Sequence, residues 1–495
     1  MEPSISSYLS QALNDVMHFL PALSVEMALV TGLVCGIILA ILPGTRGQQL
    51  LPYWTGLVIL AGLAQLWVLE ESALAIGMLS NAPSGRWIQG MSLCVALVLL
   101  YPFSQDIRLQ SEPEQRRGER YLLILSLLLG ASLLLRATHF LMAYLGLEMV
   151  SISSYVLVAF TRREGRSAEA GTKFFIYGAF SSGFFLYGIS WIYGLTGTLS
   201  LTDPAFATGL AAAGPALWVM PVGLVFVGIL FKLGAFPFHF WMPDAWEGST
   251  YPVNALLSVV PKAAILIFMI GVIQPLIPLD GFEFIRWLLG LLAMVSMTWG
   301  NLAALRQVHM RRLLAYSGVA HSGFLLMAMA IATPESFQAA MFYLSVYAVM
   351  NIAIFLMADG FHRGLGHARW QEWEGRGRLF PWATAALAII LASLTGLPPS
   401  AGFIAKWLLF ISALQISSPL MISLVITGAL NTVLALAYYM VIPSRMVFRP
   451  TPEGDKAAAE FPGYEWTLGL ILGIVLLIGG IWGFDKVLDI FANWF

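Results

Sequence analysis

Runs of roughly 20 mainly apolar residues recur along almost the whole chain, each closed by proline, glycine or charge. Fourteen such windows fall near 22–42, 52–70, 87–103, 120–136, 138–160, 174–195, 216–240, 251–276, 284–306, 312–333, 336–358, 382–412, 418–442 and 464–484. At 1.5 Å per residue, a helix of about 20 residues crosses the ~30 Å hydrocarbon core of a bilayer. The pattern therefore predicts an all-α polytopic membrane protein of about fourteen transmembrane helices. Two windows carry a built-in fault. In FKLGAFPFHFWMPDAW, Lys232 stands late in an apolar run, five residues before Pro237. In LTGLPPSAGFIAKWLLF, Lys406 follows Pro398 and Pro399. Proline in a helix removes a backbone hydrogen bond and clashes with the preceding turn. Pro237 is thus expected to keep the seventh window from forming a regular helix.

Composition agrees with the lipid reading: of 495 residues, 59% are hydrophobic and only 11% charged, against about 25% charged in soluble domains. The net charge of −1 gives no reason to expect nucleic acid. Cys35 and Cys94, the only cysteines, lie in apolar runs and read as buried packing residues. Residues 1–20 lack a basic region and a small-residue cleavage site, so no cleaved leader is expected.

Charge then orients the chain. Counting alternate loops, nineteen lysines and arginines fall on one side and four (Arg86, Arg136, Arg286 and Lys486) on the other, which also holds both termini. Lysine and arginine concentrate in cytoplasmic loops, so the termini are expected outside, in the periplasm. Three cations remain, Lys232, Lys262 and Lys406, and each lies inside a window. All three are lysine although arginine outnumbers lysine 20 to 6 in the chain. Lysine can lose its proton when desolvated; arginine effectively cannot.

Glu148, in YLGLEMVSISSYVLVAF, is the clearest acid deep inside a window. Intramembrane acids usually mark ion or proton paths, the plain alternative being a carboxylate bonded to Ser151 or Ser153. Glu26, a turn from the outer end of its window, reads as an interfacial carboxylate. The plain alternative for Lys232 is a structural ion pair closing a helix break. For Lys262, beside Pro261, it is an amine snorkelling near a helix start. Three lysines with one carboxylate favour a titratable chain across the membrane. His321 suits either a hydrogen-bonded core position or a proton relay. His239, where the seventh window ends, leans to a structural role. Lys173 is placed to pair with a loop acid. The chain has no GxGxxG after a strand, no GxxxxGK[ST] and no Cys/His set with metal spacing. The energy to drive protons uphill is expected to come from elsewhere.

The runs YLGLEMVSISSYVLVAF, EAGTKFFIYGAFSSGFFLYG, FKLGAFPFHFWMPDAWEGS, RRLLAYSGVAHSGFLLMA and LTGLPPSAGFIAKW resemble the antiporter-like membrane subunits of bacterial respiratory complex I, over roughly residues 120–440. Within that family, length and Lys406 resemble the N type rather than the M or L types. The resemblance implies a three-helix segment (1–119), two inverted five-helix repeats (120–276 with helices 4–8, 284–442 with helices 9–13) and a last helix in 443–495. Helices 7 and 12 would be broken. It implies proton-translocating roles for Glu148, Lys232, Lys262, His321 and Lys406; His239 and Lys173 stay secondary candidates on the residue reading alone. No cofactor is implied in this chain; FMN, iron–sulfur clusters and quinone would belong to other subunits. The implied partners are an M-type subunit, small K- and J-type subunits, the lipid bilayer of a bacterial inner membrane, and protons. Subunits of cation/proton antiporters and membrane hydrogenases share the same core and are the alternative.

Overall fold

The computed structural model describes residues 21–42, 46–68, 77–106, 108, 113, 116–161, 165–366, 368–451 and 463–482. The described chain is helical. Its only β pairings are three isolated bridges, Leu79 with Ala137, His139 with Ser200 and His309 with Arg369. In chain order the helices are α1 (Ser24–Ile41), α2 (Arg46–Val68), α3 (Pro83–Gln105), α4 (Glu119–Arg136), α5 (Phe140–Val158) and α6 (Gly165–Thr196). Then come α7 (Pro204–Ala213), α8 (Pro215–Leu233), α9 (Trp241–Gly248), α10 (Tyr251–Ile273), α11 (Phe282–Ala304) and α12 (Met310–Ile331). The last are α13 (Pro334–Leu365), α14 (Pro381–Thr395), α15 (Ala401–Ile416), α16 (Pro419–Tyr439), α17 (Val441–Phe448) and α18 (Gly463–Trp482). Among the described residues, eleven helices are long and apolar enough to cross a membrane.

Burial sorts them. The apolar windows of α10, α12 and α13 are 89%, 94% and 89% buried within the chain, whereas that of α1 is 28% buried. The first three are therefore the centre of the molecule, and polar groups midway along them are shut off from surrounding solvent. Helices α4 and α5 meet backbone to backbone at Gly130 and Gly146: a Cβ on Gly146 would lie 2.8 Å from the Gly130 carbonyl oxygen. Small residues allow such close approach where helices cannot rely on hydrophobic segregation from lipid. Cys35 and Cys94 correct the sequence reading, since both are exposed on the outer surface of the bundle.

Glu26 is a second correction. It is no interfacial carboxylate but is buried, accepting from Arg136 Nη1 at 2.7 and 2.8 Å, Ser132 Oγ at 2.5 Å and Gln89 Nε2 at 2.9 Å. Arg136 spends its other donors on the carbonyls of Ser80 (2.9 Å) and Ala22 (3.0 Å). The window pattern could not show this, because the partners come from α3 and α4. Breaking a buried pair by removing one member leaves an uncompensated charge. Glu26→Ala is expected to lower stability by about 3–5 kcal/mol, read as a lower thermal midpoint of the detergent-solubilised protein. Glu26→Gln, which keeps acceptors for Arg136, should lose less.

Candidate functional site

The two faulted windows are the points where helices stop inside the bundle. Helix α8 ends at Leu233 because Gly234 adopts a left-handed conformation (φ 70°), which any other residue would take at a cost. Ala235 N–H then reaches back to Leu230 O (3.0 Å) and Gly234 N–H to Phe231 O (3.0 Å). The chain resumes as α9 at Trp241. The second break copies the first. Gly396 (φ 85°) ends α14, Leu397 N–H reaches Ala392 O (3.0 Å), Gly396 N–H reaches Ser393 O (3.0 Å), and α15 starts at Ala401. The glycine, three residues before Pro237 and two before Pro398, begins each interruption. The Phe236–Pro237 and Pro398–Pro399 bonds are cis.

This glycine closure satisfies the carbonyls two and three residues back and leaves the very last ones open. At the second break Lys406 takes them: Nζ donates to Thr395 O at 2.7 Å and to Leu394 O at 3.4 Å. An ammonium there also meets the negative end of the α14 dipole. At the first break the last carbonyl, Leu233 O, accepts from Ser322 Oγ of α12 at 2.6 Å. Ser322 in turn accepts from Lys262 Nζ at 2.9 Å. Phe231 O also receives Trp241 Nε1 (3.0 Å), and Phe236 N–H is taken by Ser296 Oγ of α11 (3.1 Å).

Lys232 belongs to the last turn of α8 but turns away from the break, donating to Ser151 Oγ on α5 at 2.9 Å between the rings of Tyr155 and Phe174. Glu148, one turn before Ser151, lies within electrostatic reach of Lys232, yet its Oε1 is buried with no hydrogen-bond partner. Ser151, one plain alternative as a partner for Glu148, is thus the partner of Lys232, and the alternative of a structural ion pair at Lys232 finds no carboxylate in ion-pairing distance among the described residues. Lys262 corrects the snorkelling alternative. It sits mid-helix, buried, donating to Gly318 O (2.8 Å), Ser322 Oγ (2.9 Å) and Tyr347 OH (3.4 Å). His321 on α12 bonds Tyr343 OH through Nδ1 at 2.7 Å and lies against the Tyr347 ring, 5.1 Å between centroids. It is within electrostatic reach of both Lys262 and Lys406. Lys406 Nζ stands 4.7 Å from the Phe324 ring centre, and that ring stacks on Tyr343 at 5.9 Å.

The three lysines are 3%, 2% and 5% exposed, and among the described residues none has a carboxylate within ion-pairing distance. Burying an ammonium with only neutral partners costs far more than burying a paired one. A fold that merely needed donors at these positions would gain by using neutral ones. The arrangement suits amines that alternate between charged and neutral forms, Lys232 and Lys262 each on hydroxyls that can donate or accept and Lys406 on helix-end carbonyls.

Two weaker candidates fall outside this chain of contacts. His239 is buried in the first break, against Phe236, Phe240, Trp299 and Tyr316, and its Nδ1 has no hydrogen-bond partner. Lys173 is half exposed and, among the described residues, pairs with Glu169 one turn back (2.7 Å) and with Asp244 of α9 (3.1 Å). Asp244 also meets Arg312 at 2.8 Å, which fixes the half-helix after the break to α6 and α12. Sequence reasoning missed Ser322, Tyr343 and Tyr347. The four-residue spacing of the tyrosines was visible, but that spacing is also how core aromatics line a helix.

The NADH:quinone oxidoreductase/Mrp antiporter transmembrane model matches residues 137–432, which contain both breaks and all three lysines. The chain belongs to this family. It is 36% identical over 498 aligned positions to a NADH-quinone oxidoreductase subunit N from Anaeromyxobacter sp. (strain Fw109-5), covering 95% of each chain. Among solved structures it is similar to a chain of respiratory complex I from Thermus thermophilus determined with bound aureothin: 28% identity, TM-score 0.77, covering 94% of this chain and 98% of that one. A chain of the Mrp complex from Dietzia sp. DQ12-45-1b has the same fold (TM-score 0.78, 19% identity, covering 95% of this chain and 97% of that one). With its apolar helices, the family member described here is a multi-pass membrane protein.

Proposed function

We propose that this chain is the N-type proton-translocating membrane subunit of a NADH:quinone oxidoreductase in a bacterial inner membrane. It crosses fourteen times, with both termini in the periplasm and inverted repeats at 120–276 and 284–442. M-, K- and J-type subunits flank it, and flavin, iron–sulfur and quinone chemistry stays on other subunits. The observation that carries the reading is the set of three buried lysines with no carboxylate in ion-pairing distance among the described residues: Lys232 on Ser151, Lys262 between Ser322 at the first break and Tyr347 beside His321, and Lys406 on the carbonyls of the second break.

Protons enter from the arginine-rich, cytoplasmic face and pass from Lys232 to Lys262 and by way of His321 to Lys406, the last store before release. An ionised Glu148 near Lys232 favours the ammonium form. Drawing a unit charge from ~6 to ~12 Å at an effective dielectric of ~20 changes the interaction by roughly 1.4 kcal/mol, about one decade of proton occupancy. Electron transfer elsewhere would supply that displacement, and the proton would move onward. The test is Lys232→Ala and Glu148→Ala, each in the assembled complex in inverted vesicles. Both should depress proton pumping per NADH oxidised while the complex still assembles on a native gel. Near-wild-type pumping in both would eliminate this account.

A further inference from the structure

The lysine chain leaves one buried polar region unused. At the arginine-rich end of α10 and α13 lies a cavity of about 240 Å³, lined by Asp106, Thr250, Tyr251, Arg311, Asp359 and Arg363 among others. A liquid-like water takes about 30 Å³, so the space has room for several. Its wall asks for them: among the described residues Thr250 Oγ1 and Tyr251 OH find no hydrogen-bond partner, nor does Trp246 Nε1, four residues before Thr250 and outside the lining. These residues are 5%, 4% and 1% exposed, so water from outside does not satisfy them. Buried polar atoms left unpaired cost about 1–3 kcal/mol each, which ordered water removes.

From the cavity a polar stripe runs inward. On α10, Tyr251, Asn254, Ser258 and Lys262 share one helix face by their three- and four-residue spacing. α13 runs antiparallel against it. The Tyr251 ring meets His362 at 5.8 Å at one end, and Lys262 reaches Tyr347 OH at 3.4 Å at the other. Between them α13 offers Asp359, Asn351 and Tyr347, with Asn351 Nδ2 donating to Tyr347 O at 2.9 Å. The stripe spans eleven residues, about 16 Å at helical rise.

Asp359 is the one carboxylate of the cavity carried by α13 itself. It pairs with Arg363 one turn on (3.1 Å), and it lies within electrostatic reach of Asp106, Arg108 and Arg311. Arg363 is anchored in turn by Glu465 and the Tyr464 hydroxyl of α18. Since Arg363 has a second acid to hold it, protonating Asp359 does not strand a buried cation.

We propose that this cavity is a hydrated vestibule, and that Asp359 takes protons there and passes them through water along the α10–α13 stripe to Lys262. The proposal rests on the proton-translocating reading above but gives Lys262 an uptake route independent of Lys232. Asp359 accepts a proton from a vestibule water; neutral Lys262 receives one from the inner end of the water chain. No other reactant is involved.

The experiment uses the assembled complex in membrane vesicles, with Cys35 and Cys94 replaced by serine. Thr250→Cys, Ser258→Cys and Ile265→Cys, the last a buried control beyond Lys262, are labelled with aminoethyl methanethiosulfonate. Thr250→Cys and Ser258→Cys are expected to react at least ~10-fold faster than Ile265→Cys, because the reactive thiolate forms only where water reaches. Equal rates at Ser258→Cys and Ile265→Cys overturn the hydrated stripe, whatever the pumping activity. Asp359→Asn is expected to cut pumping at least ~2-fold, the route through Lys232 remaining open, while loss of a sole donor or acceptor would cost ~10²-fold or more, with Asp359→Glu restoring much of it. Normal pumping in Asp359→Asn overturns the role of that carboxylate. The labelling contrast does not depend on Lys232 or Glu148, so failure of the general reading would show separately.

Discussion

Lys262→Met is expected to leave the complex assembled and to reduce proton pumping by at least ~10²-fold, the lower range for loss of a positioned acid–base group. The separation of effects follows from the contacts. Met fills nearly the same volume, and Ser322 keeps its bond to Leu233 O, so the first helix break stays closed without the amine. Gly318 O, 2.9 Å from Ser322 Oγ, is the alternative acceptor of the same hydroxyl proton. What disappears is the one group that joins the first break to Tyr347 and His321. Lys262→Arg is the sharper companion. It keeps the charge and the donors, yet a guanidinium does not release its proton in a protein. A scaffold role predicts that arginine restores activity; a proton-carrying role predicts that it does not. The measurement is vesicle acidification per NADH oxidised, with assembly followed on native gels.

The sequence carried these lysines openly, because a charge inside an apolar run is conspicuous and nothing else in a bilayer-length window explains it. The breaks were visible but misattributed. Proline drew attention, whereas the structure ends each helix at the left-handed glycine before it, Gly234 and Gly396, and only the order of the hydrogen bonds shows which residue acts first. Partnership was the least legible layer. Ser151 stands one turn from Glu148 in sequence and serves Lys232 from another helix instead. Glu26 looked interfacial because a window has ends but no neighbours; Arg136, Gln89 and Ser132 reach it from helices 63 to 110 residues away. Tyr343 and Tyr347 carry hydroxyls into the relay while their rings pack like ordinary core. A one-dimensional pattern records the ring and the hydroxyl as the same letter.

Lys406→Met should behave differently from Lys262→Met, and the difference tests the capping geometry itself. Among the described residues Lys406 is the side chain that caps the last two carbonyls of α14: Thr395 O and Leu394 O accept from its ammonium, and Met offers them no donor. A buried carbonyl stripped of its partner costs about 1–3 kcal/mol, and the favourable contact with the helix dipole goes as well. Lys406→Met is therefore expected to lose both pumping and thermal stability, by several degrees in the midpoint of the solubilised protein. Lys406→Arg should recover the stability, since it restores a cation and donors at the helix end, without recovering pumping. Gly396→Ala gives an independent handle on the same spot. Its Cβ would fall 2.9 Å from Lys406 Cδ in a backbone conformation that alanine adopts only at a cost, pushing the amine off the carbonyls while leaving it titratable. If Lys406→Arg pumps normally, Lys406 is a helix cap and nothing more, and proton storage must lie at His321 or beyond this chain. If arginine rescues stability alone, one side chain both closes the break and carries the proton. The break would then exist to present carbonyls that hold the ammonium until it discharges.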